Sequence, residues 1–216
     1  MKSFIIPVQI VIFFLISMLF FCSACSSTHR STSEAAASHA PVITQTKMQS
    51  SESLPEKAFG EYLEMSHPGP IIPGLFEAAI PQGLAYISAA DMFIISNYMF
   101  DGRTAALTLV HASSGRQEKT IWVYNHDGSR HTGHMGGVAV SQDTVWIASS
   151  KHFYRVPLSE ILRAEDGSEL RLPEPLSTEV TCSTAASADG VLYIGEFRSS
   201  DGSCSTPPSH SFANGN

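Results

Sequence analysis

The amino-acid sequence predicts an all-β protein of repeated four-stranded antiparallel sheets, preceded by a signal segment and a disordered tether. Two observations predict the sheets: short runs of alternating apolar and polar residues, and the Gly, Asp, Ser and Asn residues that separate them. A third is that no long amphipathic helical pattern interrupts these runs. The predicted parts are a signal peptide (1–24), a tether (25–57), the sheets (58–204) and a disordered tail (205–216).

The first residues have the features of an export signal. The segment "MKSFIIPVQIVIFFLISMLFFCSACSS" has a positive charge at Lys2, an apolar run from Phe4 to Phe21, and small residues before Cys25. The stretch "CSACSS" resembles the lipobox of bacterial lipoproteins, where signal peptidase cuts before a cysteine whose thiol receives a lipid. We therefore predict lipidation of Cys25, with ordinary secretion or an uncleaved membrane anchor as alternatives. Lipidation, secretion and an uncleaved anchor would each place the domain outside the cytoplasm, either in the cell envelope or secreted.

Residues 25–57 are rich in Ser, Thr, Ala, Gln and Glu, and they have no apolar periodicity. Such a segment buries too little apolar surface to offset its ordering entropy, which predicts a flexible tether. The whole chain carries 13 basic and 20 acidic residues, a formal net charge of −7. This excess of acid and the scattered basic residues argue against nucleic acid as a partner, because such binding depends on neutralising phosphates.

Cys182 and Cys204 are the two cysteines outside the signal region. They flank one apolar strand of a domain that is predicted to be exported to an oxidising compartment. We therefore predict a disulfide bond between them. Metal binding by this pair has no support from a CxxC spacing or an adjacent histidine.

Three segments of the chain can be aligned as repeats. They are "PQGLAYISAADMFIISNY" (81–98), "MGGVAVSQDTVWIASS" (135–150) and "CSTAASADGVLYIGEF" (182–197). Each has a small-residue strand, a polar turn, and a more apolar strand with a central aromatic residue, which aligns Phe93, Trp146 and Tyr193. A period of about 50 residues with four strands per unit predicts a β-propeller. Its first strands would line the central channel, where Gly and Ala let neighbouring blades approach.

The strands of the first two units can be placed individually. The first unit contains Gly83–Ile87, Met92–Asn97, Ala106–His111 and Lys119–Asn125. The second contains Gly136–Val140, Thr144–Ser149, His152–Pro157, a helical turn at Ser159–Arg163 and a strand around Leu170–Leu172. Propellers close with four to eight blades, whereas this sequence supplies about two and a half. We therefore predict an incomplete, truncated propeller with an uncovered blade face, or alternatively several chains that close the ring.

The repeat segments resemble exported six- or seven-bladed propellers of the gluconolactonase-like superfamily, a broad group that includes strictosidine-synthase-like proteins. The resemblance covers residues 81–204, and its motifs describe blades rather than chemistry. In gluconolactonase-like enzymes, Glu, Asn and Asp hold a divalent cation that polarises a lactone carbonyl or activates water. The resemblance implies that Asn97 and Glu196 are residue types for such a site. The sequence departs from the family at Gln82, where an inner strand would supply a glutamate.

In a propeller, the loops that enter the first strand and leave the second lie on one face, around the channel mouth. This geometry selects candidate ligand-binding residues on such loops. The candidates are Gln82, Asn97, His131, His134, Glu196 and Arg198. His131 and His134 also form an HxxH pair, for which His126 is a candidate third zinc ligand, but we favour polar loop residues here, with His134 hydrogen-bonded at the channel mouth. We favour no cofactor, with calcium or zinc as the alternative.

These observations together favour a non-catalytic exported propeller, lipid-anchored or secreted. It would bind a small molecule or a cell-envelope partner through its loop face. The alternatives are a metal-dependent, gluconolactonase-like hydrolase and a non-functional fragment of a longer propeller protein. No GxSxG motif is present, and the serine-containing segments lie in strand–turn–strand context, so the sequence predicts no nucleophilic catalytic residue.

Overall fold

Antiparallel sheets dominate the folded part of the chain. The structure is a computed structural model that describes residues 43–46, 56–67, 69–197, 200–204 and 206. The structure of these residues is mostly β, as the sequence predicts, with two short α-helices, and none of their sheets closes on itself. The predicted lipidation site, Cys25, and the candidate Arg198 lie outside the described residues, as do the signal segment and most of the tail.

The first sheet is built on an antiparallel meander. Its strands are β1 (Ala79–Ile87), β2 (Met92–Met99), β3 (Ala106–His111) and β4 (Gln117–Tyr124). A later strand, β8 (Glu169–Arg171), joins the same sheet by pairing parallel to β4. The sequence predicts this strand as the last of the second unit, which is wrong. Leu170 is buried in the core between the first two sheets, and the backbone N–H of Leu172 donates a hydrogen bond to the carbonyl oxygen of Tyr124 on β4.

The second and third sheets follow in chain order. The second consists of β5 (Gly137–Ser141), β6 (Thr144–Ser149), β7 (His152–Pro157) and β9 (Leu176–Ser177), and the third of β10 (Cys182–Ala188) and β11 (Val191–Glu196). The sequence does not predict the two-residue strand β9. A helix, α1 (Glu56–Met65), precedes the first sheet, and α2 (Leu158–Arg163) follows β7. Within the described ranges, neither helix is long and apolar enough to cross a membrane.

The sheets pack face to face in the order in which they occur along the chain. The largest core lies between the first and second sheets and includes Ile94, Val138 and Ile147. A smaller core lies between the second and third sheets and contains Ala148, Phe153, Cys182 and, at its edge, Ala185 and Leu192. This burial of apolar side chains is the main stabilising term of the fold.

The first strands of consecutive sheets lie close together, backbone against backbone. A Cβ atom added to Gly83 would lie 2.7 Å from the backbone nitrogen of Val138. One added to Gly137 would overlap the backbone nitrogen of Ala185, and one on Gly136 would overlap the carbonyl oxygen of Ser183. Small residues are therefore required at these positions, as the sequence predicts for the first strand of each unit.

Strand pairing defines which residues of the repeats are equivalent. The pairs Gly83–Ser96, Gly137–Ala148 and Thr184–Gly195 occupy the same position in the three sheets. This register makes Ile94 equivalent to Trp146 and Tyr193, so the predicted alignment of Phe93 with them is wrong by one residue. The reason is the first turn, which has four residues (88–91) between paired strand ends, whereas the other two turns have two.

A short stretch of the predicted tether contacts the first sheet. The side chain of Gln45 donates a hydrogen bond to the carbonyl oxygen of Ile71 (2.6 Å) and another to that of Gly115 (2.8 Å). It also accepts one from the backbone N–H of Gln117 (2.6 Å), at the start of β4. Ile43 packs beside Trp122 on the face of the first sheet that is turned away from the second. Residues 43–46 thus cover part of that face.

Candidate functional site

Three polar side chains from the first sheet and the loop before the second meet at the junction of the two sheets. Gln82 lies on β1, Tyr98 on β2, and His134 in the loop that enters β5. The His134 ring stacks on Tyr98, with ring centroids 4.0 Å apart and an interplanar angle of 29°. Its Nδ1 lies 3.3 Å from Oε1 of Gln82. We call these three residues the junction site.

A β-bulge directs Gln82 toward this site. The register of β1 and β2 shifts between Pro81 and Gly83, so Gln82 is the extra residue of the bulge. Bulges often re-aim a side chain next to a functional site. The Gln82 amide group is oriented by a hydrogen bond from its Nε2 to the carbonyl oxygen of Pro81 (3.1 Å).

A buried serine connects the three segments that carry the junction site. The Ser96 hydroxyl is inaccessible to solvent, accepts a hydrogen bond from the N–H of Gly83 (2.9 Å), and donates one to the carbonyl oxygen of Met135 (2.7 Å). Ser96 therefore joins β1 and β2 to the loop of His134. A site held by such contacts is preorganised, which reduces the entropy lost when a ligand binds.

The junction site presents an exposed imidazole, an amide and a phenol ring. These groups offer hydrogen-bond donors and acceptors beside a flat aromatic surface. Nδ1 of His134 faces Gln82, so Nε2 is the ring nitrogen that a ligand can reach. The site itself contains no charged side chain that would fix a strongly ionic ligand.

An apolar groove of about 290 Å³ lies next to Gln82, on the face of the first sheet turned away from the second. Pro70 and Ile72 form one wall, and Leu84, Phe93 and Ile95 contribute the sheet side. Gln82 lines this groove as well as contacting His134. The bulge residue thus stands between a polar site and an apolar surface.

His131 lies in the interior, where it connects the loop to β6. Its exposed fraction is 5%, its Nδ1 lies 2.7 Å from Oδ1 of Asn125, and its Nε2 lies 3.1 Å from Oγ of Ser149. The ring also makes an edge contact with Tyr154, at a centroid distance of 5.8 Å. Burial lowers the pKa of His131, because the charged imidazolium would lose its hydration. Of the six predicted ligand-binding residues, His131 is therefore one that lies in the protein interior.

The two histidines of the HxxH motif do not share an orientation. Both ring nitrogens of His131 are engaged by protein atoms, whereas His134 is exposed and stacked on Tyr98. A metal ion at His131 would have to displace one of these hydrogen bonds. Among the described residues, no cluster of three or more His, Cys, Asp or Glu side chains is placed to hold a metal ion.

Asn97 and Glu196 form their hydrogen bonds with residues outside the junction site. The Asn97 amide is fully buried and donates hydrogen bonds to the carbonyl oxygen of Ile95 and to Oγ1 of Thr108, each at 3.2 Å. The Glu196 carboxylate accepts hydrogen bonds from the N–H and hydroxyl of Thr206, at 2.7 and 2.6 Å. Glu196 therefore holds a segment that follows the third sheet.

The predicted disulfide between Cys182 and Cys204 is wrong, since both cysteines are free. Cys182 is buried between the second and third sheets, where its Sγ lies 2.9 Å from Oγ1 of Thr178. Cys204 is exposed. Burial raises the pKa of the Cys182 thiol, which keeps it in its unreactive protonated form. The spacing that suggests a disulfide does not reveal that the first thiol points into the core.

Sequence reasoning selects Gln82 and His134 but misses Tyr98 and Ser96. Adjacent residues of a strand point to opposite faces, so Asn97 and Tyr98 cannot both face the second sheet. The alternation of β2 in the sequence shows that only one of these two residues can face the second sheet. Which of them does so depends on how β2 pairs with β1. A search of protein-family models and of curated proteins finds no match to this chain.

Proposed function

We propose that this chain is an exported, propeller-like binding protein, lipid-anchored or secreted, which holds a small planar ligand at the junction site. The observation that carries the proposal is the stack of His134 on Tyr98 beside Gln82. Two paired strands of the first sheet and the loop that enters the second sheet bring these residues together on a rigid scaffold. The buried Ser96 contacts support a recognition role because they hold the site in one arrangement.

The chemistry of the site indicates the class of ligand. A flat imidazole–phenol pair favours an aromatic or heterocyclic ring, and the Gln82 amide favours a ligand with its own amide, hydroxyl or ring nitrogen. The chain carries a formal charge of −7, and the site adds no positive side chain. The ligand is therefore a ring compound without negative charge that is present outside the cytoplasm.

The sheet arrangement supports the propeller part of the proposal. Consecutive antiparallel sheets of this chain stack in sequence order through small-residue first strands. This is the relation between neighbouring blades of a propeller, whose short sheets repeat around a channel. A metal-dependent hydrolase has no comparable support, because Asn97 is interior and both ring nitrogens of His131 already have partners.

Removing the side chain of His134 or of Gln82 should weaken ligand binding without unfolding the protein. We expect an uncharged heterocycle from a panel of nicotinamide, indole, adenosine and thymidine to shift the His134 and Tyr98 NMR resonances in a saturable way. His134→Ala and Gln82→Ala should each weaken that binding about fivefold, because each removes a contact worth about 1 kcal/mol.

A matched control for this experiment is His67→Ala, which removes an exposed histidine outside the sheets. It should leave the binding constant unchanged. The proposal fails if no member of the panel shifts these resonances. It also fails if binding is unaffected by both junction variants.

A further inference from the structure

The two ends of the stack of sheets expose apolar side chains. On the first sheet, Leu84 is 62% exposed and Tyr86 is 49% exposed, beside Phe93. On the third sheet, Val191 is 49% exposed and Tyr193 is 55% exposed. We call Leu84, Tyr86 and Phe93 the leading face, and Ala186, Val191 and Tyr193 the trailing face. Contiguous exposed apolar surface of this kind marks an interaction site.

Residues equivalent to Leu84 and Phe93 of the leading face are buried in the second sheet and partly buried in the third. Register makes Leu84 equivalent to Val138 and Ala185, and Phe93 equivalent to Val145 and Leu192. Val138 and Val145 pack against the first sheet, in the largest core. Ala185 and Leu192 pack against the second sheet. The leading face therefore has the orientation of a surface that receives a preceding sheet.

The trailing face shows the reverse relation. Tyr193 is equivalent to Ile94 and Trp146, and Ala186 is equivalent to Ala85 and Ala139. Ile94 and Ala85 pack toward the second sheet, and Trp146 packs toward the third. Tyr193 occupies the same position in its own strand but is exposed. The trailing face therefore has the orientation of a surface that packs onto a following sheet.

We propose that two copies of this chain associate head to tail, with the trailing face of each packed on the leading face of the other. The occupant is a second copy because one chain carries both halves of the contact, in the positions that form its two internal sheet–sheet interfaces. The apolar groove between Ile72, Leu84 and Phe93 is the receiving pocket for Tyr193, a residue type that commonly anchors interfaces.

Symmetry and sheet number agree with this pairing. Two copies joined at both ends have two identical heterologous contacts related by a twofold axis, so the assembly closes and does not grow. Twice the three described sheets, the third of which has only two strands, makes six, which lies within the range of about four to eight at which propellers close. Closure removes both exposed apolar faces at once.

Sedimentation equilibrium of the full chain in mild detergent tests the proposal. We expect a protein mass twice that of one chain. Leu84→Glu and Tyr193→Glu each place a charge in both contacts of the pair, and each should weaken association about 100-fold or more. Met65→Glu changes an exposed residue of α1 that belongs to neither face, and it should leave the dimer intact.

Mixing the two variants separates head-to-tail from face-to-face pairing. A Leu84→Glu chain retains its trailing face, and a Tyr193→Glu chain retains its leading face, so together they form one intact contact. We expect the mixture to dimerise more strongly than either variant alone, which also shows that both variants fold. A monomeric wild-type chain would overturn the proposal, as would a dimer that is insensitive to Tyr193→Glu or a mixture with no recovery.

Discussion

Replacing Gly137 with alanine is expected to lower the free energy of unfolding by about 3 kcal/mol, the upper end of the usual effect of overpacking. The added methyl group would overlap the backbone nitrogen of Ala185 and lie 2.8 Å from Cα of Thr184. Because these are backbone atoms, no side-chain rotation relieves the contact. The second and third sheets would have to separate, which loosens the core around Phe153. Chemical denaturation monitored by tryptophan fluorescence measures the loss.

Gly60→Ala is the matched control for this substitution. Gly60 lies in α1, and a Cβ atom there meets no heavy atom within 4 Å. Alanine favours a helix over glycine, so this variant should be unchanged or slightly more stable. Equal stability of Gly137→Ala and the wild type would show that the two first strands do not approach each other in this way.

His131→Ala is expected to lower the free energy of unfolding by about 3 kcal/mol at pH 7.5. The substitution removes the buried ring, leaves a cavity beside Tyr154, and removes one hydrogen-bond partner each from Asn125 and Ser149. The exposed His126, in the same loop, gives the control His126→Ala, which should change stability little. Similar destabilisation by both variants would contradict the interior role of His131.

The stability of the wild type should also depend on pH through His131. Burial lowers the pKa of this histidine in the folded state below its ordinary value of 6.5. Between those two values the unfolded chain binds a proton that the folded chain does not, so stability rises with pH. The contribution is fully present above about pH 6.5 and is lost as the pH falls toward the folded-state pKa. Urea titrations at several pH values should show this loss in the wild type and a smaller loss in His131→Gln.

Local patterns predict the strands of this chain well. The ends of β3, β6 and β7 agree with the sequence-based expectation residue by residue. In the second unit, the polar pair Gln142–Asp143 marks the turn between β5 and β6, and Gln142 has the positive φ of 54° that a tight turn uses. Alternation and turn residues are properties of neighbouring positions, so one sequence is enough to reveal them.

Pairing between distant segments is harder to predict. The strand Glu169–Arg171 has no pattern that distinguishes β4 from β7 as its neighbour, because its buried Leu170 enters a core that both sheets share. The helix Glu56–Met65 is short, and its exposed residues such as Tyr62 and Met65 give no clear buried face. These choices depend on tertiary packing, which local propensity does not contain.

The same limit applies to the candidate site. Of the six predicted residues, the structure brings Gln82 and His134 together, because Gln82 lies in the bulge of β1 and His134 lies just before β5, whose backbone contacts β1. His131 has the same local chemistry as His134, yet it is buried against Ser149. Its direction is set by the loop between β4 and β5, where its carbonyl oxygen accepts a hydrogen bond from Ala105. No residue next to it in the sequence indicates that contact.

Proton–proton distances across the sheets test the central structural claim most directly. Because a Cβ atom on Gly83 would lie 2.7 Å from the backbone nitrogen of Val138, an α proton of Gly83 must lie close to the amide proton of Val138. The same holds for Gly137 and Ala185. We expect strong nuclear Overhauser effects for both pairs in an isotopically labelled protein. Absence of both, in spectra that show the Gly83–Ser96 and Gly137–Ala148 contacts within each sheet, would contradict the stacking of the sheets through their first strands.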